Sequence, residues 1–273
     1  MHKIFTDFNT CMPFPDVFPK EWNETIPTRD YMEFRNLNHF FYVVSKIKQE
    51  SVNNCNMSYD DALSKMMRGE SDFPKAEQAS IRNLVRQNLF KRGLITEEVY
   101  EEYKYAVEGT QVGVDPAKYA AGEPDCIITP TRQYIDFFYE LYVSVSYNYT
   151  IKNEAVRESC AKLLATVEEL ERQHVFIKIS LVFPTNCSTR QGNNFFSYIP
   201  LFSHKDIKSV DTMSAVINDR LLRKFFFAIL ENYYQENLTS GKGRPVELDK
   251  AMNVGNEFDE VKFFEDVMQA VEV

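Results

Sequence analysis

Clustered basic side chains are the feature of this sequence whose residue types and spacing most directly suggest a chemistry. Arg82 and Arg86 stand four residues apart, so a helix would carry both guanidinium groups on one face. Proteins that bind single-stranded nucleic acid combine such cations with aromatic side chains on which bases stack. The predicted phosphate-binding residues fall into two clusters, namely Arg82, Arg86, Lys91 and Arg92, and then Arg220, Arg223 and Lys224. The alternative is that each cluster is the solvated face of a helix.

Patterns typical of enzymes and metal sites are absent from the sequence. The sequence contains neither a Gly-x-Ser-x-Gly turn nor a His-Glu-x-x-His segment. The five cysteines form no Cys-x-x-Cys pair, so we expect reduced thiols with structural roles. A nuclease site would need a lysine two residues after Glu140, where Tyr142 stands instead. We therefore predict that the protein is not an enzyme and needs no metal or other cofactor.

The overall charge limits how the protein could bind nucleic acid. The chain has 273 residues and a net charge of −9, with a pI near 5.1. A protein that coats duplex DNA with its whole surface is usually basic, so binding here would need a local patch. The start of the chain lacks the apolar core of a signal peptide, and no apolar run is long enough to span a bilayer. We expect a cytoplasmic protein without membrane contact.

The N-terminal part of the chain is predicted to be helical after an irregular start. Residues 1–29 are rich in Pro and Phe, which predicts an irregular arm on the surface or on a partner. Residues 30–111 are predicted to form a helical region. Ser58 and Asp61 look like a capping box at the start of its second helix. The four predicted helices cover residues 30–49, 58–69, 74–93 and 96–108.

Residues 112–240 are predicted to form an α/β core. Between Ile135 and Tyr147, apolar and polar residues alternate, which is typical of a strand. A helical pattern from residue 153 to residue 173 and a second alternating segment, His174–Phe183, follow. Strand, helix and strand in this order predict a βαβ unit with two parallel strands. A third strand, Phe195–Ser203, contains Pro200 and is therefore expected at the edge of the sheet.

Residues 241–273 are predicted to be an acidic C-terminal tail. From Glu247 onwards the chain carries eight acidic residues and two lysines, hence a net charge of −6. Such a tail could compete with DNA for the basic surface. Alternatively, its apolar residues could form one helix face that packs on its own domain or on a neighbouring subunit. The expected fold class is α/β, with a helical N-terminal part, a βαβ-containing sheet with flanking helices, and the acidic tail.

One motif resembles a known metal site. Tyr142-Val-Ser144-Val-Ser146 ends the predicted strand and resembles the Asp-x-Ser-x-Ser motif of von Willebrand factor A-like domains. The resemblance implies a doubly wound α/β core. Tyr142 stands where those domains have the aspartate that anchors magnesium, so the motif argues against a bound metal. The alternative for Ser144 and Ser146 is an ordinary position on the solvent side of the strand.

A wider resemblance covers residues 114–231 and implies a bacteriophage origin. The order of its segments looks like a domain of unknown function in phage proteins, and the segments are Val114-Asp-Pro, Gly122-Glu-Pro-Asp-Cys-Ile, Val143-Ser-Val-Ser and Arg220-Leu-Leu-Arg-Lys. Size, aromatic content and acidic tail are also similar to the single-stranded-DNA-binding RNA polymerase cofactor of lytic podoviruses. This second resemblance implies single-stranded DNA and a phage RNA polymerase or replication protein as partners. We expect a homo-oligomer in the host cytoplasm.

Two hypotheses about function follow. The first is a phage single-stranded DNA-binding accessory protein for transcription or replication. The second is a non-enzymatic protein-interaction module without affinity for nucleic acid, such as an inhibitor of a host protein or a virion component. The basic clusters distinguish the two, because one basic face favours DNA and dispersed clusters favour the interaction module.

Overall fold

The computed structural model describes twelve stretches of the chain. They are residues 8–10, 18–25, 29–47, 58–95, 103–106, 113–124, 126–130, 136–148, 150–186, 194–217, 221–234 and 244–271. Within them the chain forms ten strands and nine helices. The fold is mixed α/β, as the sequence predicts.

Ten strands form two sheets. They are β1 (Phe8–Thr10), β2 (Arg29–Glu33), β3 (Tyr103–Ala106), β4 (Gly113–Val114), β5 (Ile127–Pro130), β6 (Phe137–Ser144), β7 (Val175–Asn186), β8 (Asn194–Phe202), β9 (Arg244–Pro245) and β10 (Ala251–Asn253). The main sheet has seven strands in the order β1-β2-β8-β7-β6-β10, with β9 paired to the C-terminal end of β7. β6 is parallel to both β7 and β10, whereas β7 and β8 are antiparallel. The small sheet is antiparallel, in the order β3-β5-β4.

Long helices cover one face of the main sheet. The helices are α1 (Glu21–Thr25), α2 (Leu37–Ser45), α3 (Tyr59–Met67), α4 (Lys75–Lys91), α5 (Pro116–Ala120), α6 (Asn153–Arg172), α7 (Val210–Ile217), α8 (Leu221–Tyr234) and α9 (Glu260–Val271). All except the short α1 and α5 bury apolar side chains in one core with this face, which we call the helical face. Phe183 of β7, for example, stacks on Phe226 of α8 with ring centroids 4.4 Å apart. None of the helices described is long and apolar enough to cross a membrane.

The opposite face of the sheet, the second face, carries a smaller apolar cluster. Phe18 and Trp22 cover Tyr142, Phe196 and Tyr198 there with aromatic contacts. The doubly wound core implied by the von Willebrand factor A resemblance has long helices on both faces. The described residues do not form one, because β8 turns back antiparallel after β7 and the long helices that follow return to the helical face.

The predicted βαβ unit is confirmed. β6 and β7 are parallel neighbours, with Phe137 opposite Val175 and Ser144 opposite Val182. Helix α6 connects them and buries its apolar residues against the sheet, as their helical spacing predicts. This unit fixes the position of α6 above β7, and α4 packs on α6 in turn.

Strand β8 lies inside the sheet rather than at the edge expected from Pro200. β2 pairs with residues 194–198 of β8, and β7 pairs with its other side as far as Phe202. Pro200 therefore stands beyond the last position that pairs with β2, next to an irregularity of β7 between Ile179 and Ser180. Its missing N–H costs no bond to β2. The prediction is wrong because a proline constrains only its own position, not the whole strand.

The N-terminal part contains more strand than the sequence predicts. The described residues of the predicted irregular arm form β1 and α1, and Trp22 is fully buried. The predicted first helix begins only after β2, where Asn36 caps α2 by accepting a hydrogen bond from the backbone N–H of His39. In the predicted fourth helix, residues 96–102 lie outside the described part and Tyr103–Ala106 is strand β3. Here pairing with β5 decides the conformation, which short apolar patterns leave open.

Two predicted helices begin as their caps indicate. Ser58 caps α3, and its hydroxyl accepts a hydrogen bond from the backbone N–H of Asp61 at 3.1 Å. Pro74 stands immediately before α4. The helix ends before Gly93, and Gly93 has the left-handed backbone conformation that glycine favours. The sequence therefore places α4 correctly, and with it the first predicted basic cluster.

The acidic C-terminal segment is part of the folded domain rather than a separate tail. β10 pairs with residues 142–144 of β6 and extends the main sheet. α9 packs on α4 and α6 and buries Phe264 and Val267. The side chain of Asn88 on α4 donates a hydrogen bond to Glu260 at 2.7 Å. Of the two alternatives for this segment, the described residues show the packed helix.

Candidate interaction surface

The arginines of the predicted basic track on α4 are paired with carboxylates of α6. Arg82 Nε lies 3.0 Å from an oxygen of Glu168, and Arg86 Nε lies 3.9 Å from an oxygen of Glu169. The spacing of four residues does place both guanidinium groups on one side of the helix. That side faces α6, so both charges are partly neutralised within the protein before a phosphate could approach.

Glu169 is the more enclosed of these two carboxylates. Its side chain is 7% exposed, and one of its oxygens also lies 3.1 Å from Arg172 Nη1. Burial raises the pKa of this carboxyl above its ordinary value, and Arg172 and Arg86 only partly counter that effect. The guanidinium of Arg86 therefore compensates a buried charge inside the domain.

The other predicted basic residues are divided between helices with different neighbours. Lys91 and Arg92 are exposed at the C-terminal end of α4, where cations interact favourably with the helix dipole. Arg223 and Lys224 belong to α8, but their side chains, like the whole of Arg220, lie outside the described part of the structure. Helix α4 packs on α6 and α9, whereas α8 packs on α2, α3 and α7. This separation favours dispersed clusters over one continuous track for DNA.

A groove of about 620 Å³ lies between α4, α6 and the segment 204–210. Ala161, Leu164 and Ala165 line it from α6, where they fall on one stripe of the helix. Ala79 lines it from α4. Because most of these side chains are small, the groove has an apolar floor with room for a side chain from another molecule.

Ion pairs surround this groove. Arg82 and Glu168 form one of them, as described above, and Lys75 and Asp211 form another. The side-chain amide of Gln78 also donates a hydrogen bond to Asp211 at 2.8 Å. The rim of the groove therefore carries both charge signs in alternation rather than a field of one sign.

The loop between β8 and α7 is held in one shape by a buried lysine. The Lys208 side chain is 4% exposed, and its ammonium lies 2.5 Å from a carboxylate oxygen of Glu171. The same ammonium lies 3.3 to 3.5 Å from the backbone carbonyls of Ser203, His204 and Asp206. The backbone N–H of Ser203 donates to the Asp206 carboxylate at 2.7 Å, and this bond holds the pKa of Asp206 below its ordinary value.

This loop presents Ile207 to solvent. The side chain is 95% exposed although its two neighbours hold the loop, Asp206 through the backbone N–H of Ser203 and Lys208 through Glu171. A fully exposed isoleucine in an ordered loop gains nothing from folding, since its apolar surface remains in water. Ile207 also lines the groove, so it stands on the rim of an apolar depression.

An aromatic shelf occupies the uncovered end of the second face. We define the shelf as Phe138, Phe176 and His204. Phe138 and Phe176 stand opposite each other on β6 and β7 and stack with ring centroids 6.0 Å apart. The His204 ring meets Phe138 edge-on at 5.1 Å. Phe138 is 59% exposed, so a large apolar ring faces solvent on this part of the sheet.

A polar cluster separates the shelf from the buried part of the second face. One oxygen of Glu140 lies 2.7 Å from Lys178 Nζ and accepts hydrogen bonds from Ser180 and Tyr198, each at 3.3 Å. The sequence has no lysine two residues after Glu140, but Lys178 of the neighbouring strand β7 lies beside it in space. A nuclease of the Pro-Asp…Glu-x-Lys type would also need an aspartate before β6, and the candidate, Asp125, lies outside the described residues. Glu140 and Lys178 thus contribute one partly exposed charge of each sign beside the shelf.

The serines of the metal-like motif lie inside the protein. Ser144 and Ser146 are both buried, so the prediction that they face solvent is wrong. β10 covers this end of β6, and Asn253 donates its side-chain amide to the Ser146 carbonyl at 3.3 Å. Tyr142 packs edge-on against Trp22. In the part of the chain that the structure describes, no group of three or more His, Cys, Asp or Glu side chains could hold a metal ion.

Comparison with known proteins gives one family match. A family model described as a domain of unknown function (DUF7192) matches residues 23–269. Among curated proteins and solved structures, nothing matches the chain. The matched residues run from α1 to α9 and therefore include the groove, the loop that presents Ile207 and the aromatic shelf.

Proposed function

Since the chain belongs to the DUF7192 family, whose description names no activity, we propose a function from the surface itself, that of a non-enzymatic protein-interaction module. The proposed binding surface is the aromatic shelf with the polar cluster behind it. Such a surface would serve an inhibitor of another protein as well as a component of a larger assembly.

The exposure of Phe138 carries this proposal. Parallel strands are normally covered on both faces, because their side chains are largely apolar. Here β6 and β7 are parallel, yet Phe138 is 59% exposed on the second face. Exposed apolar surface that adjoins polar groups is typical of protein–protein contacts. A partner that covers Phe138 and Phe176 would complete this layer of the sheet.

The chemistry around the shelf indicates what the partner surface carries. Glu140 and Lys178 are about one-third exposed and provide one charge of each sign at the border of the shelf. Lys178 ammonium is stabilised there, since burial alone would lower its pKa but hydrogen bonds to Glu140 and Tyr198 raise it. The matching surface is therefore an apolar centre with polar groups at its border, which is the usual composition of an interface.

Single-stranded DNA is the second candidate, and the same stacked pair supports it. Exposed aromatic rings on a sheet can stack bases, and Lys205 next to His204 is an exposed cation. A phage transcription or replication accessory protein would use the surface in this way. The ion pairs of Arg82 and Arg86 leave less free positive charge than such a protein needs, so we rank DNA second.

Photocrosslinking tests the proposal directly. Benzoylphenylalanine replaces Phe138 in one variant and Tyr119 in a control variant, since Tyr119 is 71% exposed on the separate helix α5. Both are irradiated in extracts of the cells that produce the protein. We expect a discrete crosslinked protein at position 138 that excess wild type removes and excess Phe138→Asp does not. The control position should not give this product.

Two other results would count against protein binding. A crosslinked product that nuclease treatment removes, together with binding of a single-stranded oligonucleotide by the purified protein, would favour DNA. In that case Phe138→Ala should weaken oligonucleotide binding by about 1–3 kcal/mol with little change in salt dependence. Identical products at positions 138 and 119 would contradict a specific surface at the shelf.

A further inference from the structure

We propose that the protein self-associates through a two-fold contact in which Ile207 of one copy enters the groove of a second copy. The groove adjoins the aromatic shelf, because Phe176 and His204 belong to both, whereas Phe138 does not line the groove. The self-contact therefore uses a neighbouring surface and goes beyond the proposed binding of another protein at Phe138.

The inserted side chain is already held in place. Ile207 is 95% exposed, while Lys208 ties the loop to Glu171 and to three backbone carbonyls. The loop therefore loses little conformational freedom when Ile207 is buried by another molecule, and most of the gain from burial remains for binding. Anchor residues of an interface are ordered and exposed in this way before the partner binds.

The floor of the receiving groove is apolar. Leu164 and Ala165 form its floor and are themselves buried, so nothing needs to unfold to admit a side chain. Ala79 is exposed on the α4 side and presents only a methyl group. A branched aliphatic side chain suits such a surface, because it needs no hydrogen-bond partner.

The position of Ile207 explains why the second molecule is a copy of the same chain. In a two-fold contact the same patch is used on both molecules, so it must contain both the inserted group and its receiving site. Ile207 stands on the rim of its own groove and therefore meets this condition. A two-fold axis beside the loop would place each Ile207 over the groove of the other copy.

The charges of the rim are compatible with self-contact. A chain with net charge −9 repels its copies unless the contact region is locally balanced. The rim is balanced, since Lys75 pairs with Asp211 and Arg82 pairs with Glu168. Lys75 and Arg82 remain more than half exposed, so they can also reach carboxylates of the second copy. Complementary charges of this kind fix the orientation of a contact.

The size of the surface indicates a weak contact. The groove and loop together comprise 17 lining residues, whereas a stable interface uses about 20–30 residues a side. We therefore expect a dimer with a dissociation constant in the micromolar range, and sedimentation velocity over that concentration range is the suitable measurement.

Two variants of the full chain separate the inserted group from the receiving site. Ile207→Asp removes the anchor, and Ala79→Phe fills the groove from an exposed helix position. Each should raise the dimer dissociation constant at least about tenfold, because each removes both copies of the central contact. The control is Leu84→Asp, which changes an exposed apolar residue of α4 that does not line the groove and should leave the constant unchanged. The emission of Trp22 shows whether each variant remains folded.

Mixing the two variants gives the decisive result. A mixed dimer retains one good contact, between Ile207 of the Ala79→Phe copy and the open groove of the Ile207→Asp copy. We expect the mixture to contain dimers at concentrations where each variant alone is monomeric. A wild-type protein that stays monomeric throughout the micromolar range would overturn the proposal. A mixture that dimerises no better than its components would also overturn it. So would a dimer dissociation constant equal to that of wild type in both variants.

Discussion

Trp22 in α1 donates its indole N–H to the backbone carbonyl of Asp249 at 2.6 Å, although 227 residues separate the two along the chain. Beside this bond, Lys250 Nζ lies 2.7 Å from the carboxylate of Glu21. Trp22 also packs against Tyr142 of β6 with ring centroids 4.9 Å apart. The N-terminal segment and the acidic C-terminal segment therefore close the second face together, and each depends on the other.

Removal of residues 246–273 should unfold the second face rather than expose a DNA-binding surface. The truncation deletes the acceptor of the Trp22 hydrogen bond, strand β10 and helix α9. Trp22 is the single tryptophan of the chain, so its fluorescence reports this region alone. We expect emission shifted to longer wavelength and loss of cooperative unfolding in urea.

A milder variant serves as the control for the truncation. Lys250→Ala removes only an exposed ion pair with Glu21 and should leave the emission of Trp22 unchanged. If the truncated protein kept native emission and bound single-stranded oligonucleotides more tightly than wild type, the competing-tail hypothesis would be restored.

Lys208→Met should cost about 3 kcal/mol in the free energy of unfolding, because it leaves the Glu171 carboxylate and three carbonyls without their cation. The matched comparison is Lys250→Met, since the Lys250 side chain is 63% exposed and its ammonium pairs with Glu21. That change should cost less than about 1 kcal/mol. Urea denaturation of the two variants measures the difference, and equal losses would show that Lys208 does not hold the loop.

Cys160 should resist thiol reagents as long as the protein is folded. It is buried, and burial raises the pKa of its thiol to about 12, so the reactive thiolate is scarce at pH 8. Cys126 is half-buried and should react much faster. Mass spectrometry of peptides after timed alkylation distinguishes the two residues. Labelling of Cys160 as fast as that of Cys126 in native buffer would contradict the burial of Cys160 on the inner side of α6.

Glu169 should make the protein less stable as the pH rises. Because burial raises its pKa in the folded state, the folded protein holds this proton more tightly than the unfolded chain. The resulting stability is fully present below the unfolded pKa and is lost as the pH rises through the folded pKa. The Glu169→Gln variant has no titratable group at this position. Its free energy of unfolding, relative to that of wild type, should therefore increase across this pH range. Urea denaturation at several pH values measures it, and a constant difference would contradict the shift.

The parts of the fold that follow from local pattern were predictable from the sequence. The alternation in β6, the helical spacing in α6 and the cap at Ser58 each depend on residues close together in the chain. Contacts between distant segments carry no such signal. Trp22 and Asp249 meet because both ends of the chain reach the second face, and neither end shows this in its composition. For the same reason β10 and the packing of α9 could not be separated from a free acidic tail.

The candidate surface was predictable only in part. Spacing correctly places Arg82 and Arg86 together, but their partners Glu168 and Glu169 come from another helix and change what the arginines do. Phe138 does leave a signal, since it is an aromatic residue on the polar side of an alternating strand, between Asp136 and Glu140. The exposure of Ile207 leaves none, because it results from the way in which Lys208 folds the loop.

Calorimetric titration of the crosslinked partner, once purified, tests the central claim most directly. Wild type and the variants Phe138→Ala and Tyr119→Ala are compared at one salt concentration. If the aromatic shelf is the binding surface, Phe138→Ala should weaken binding by at least about 2 kcal/mol, which is roughly thirtyfold in the dissociation constant. Tyr119→Ala should bind like wild type. A dissociation constant of Phe138→Ala that equals the wild-type value would show that the partner binds elsewhere.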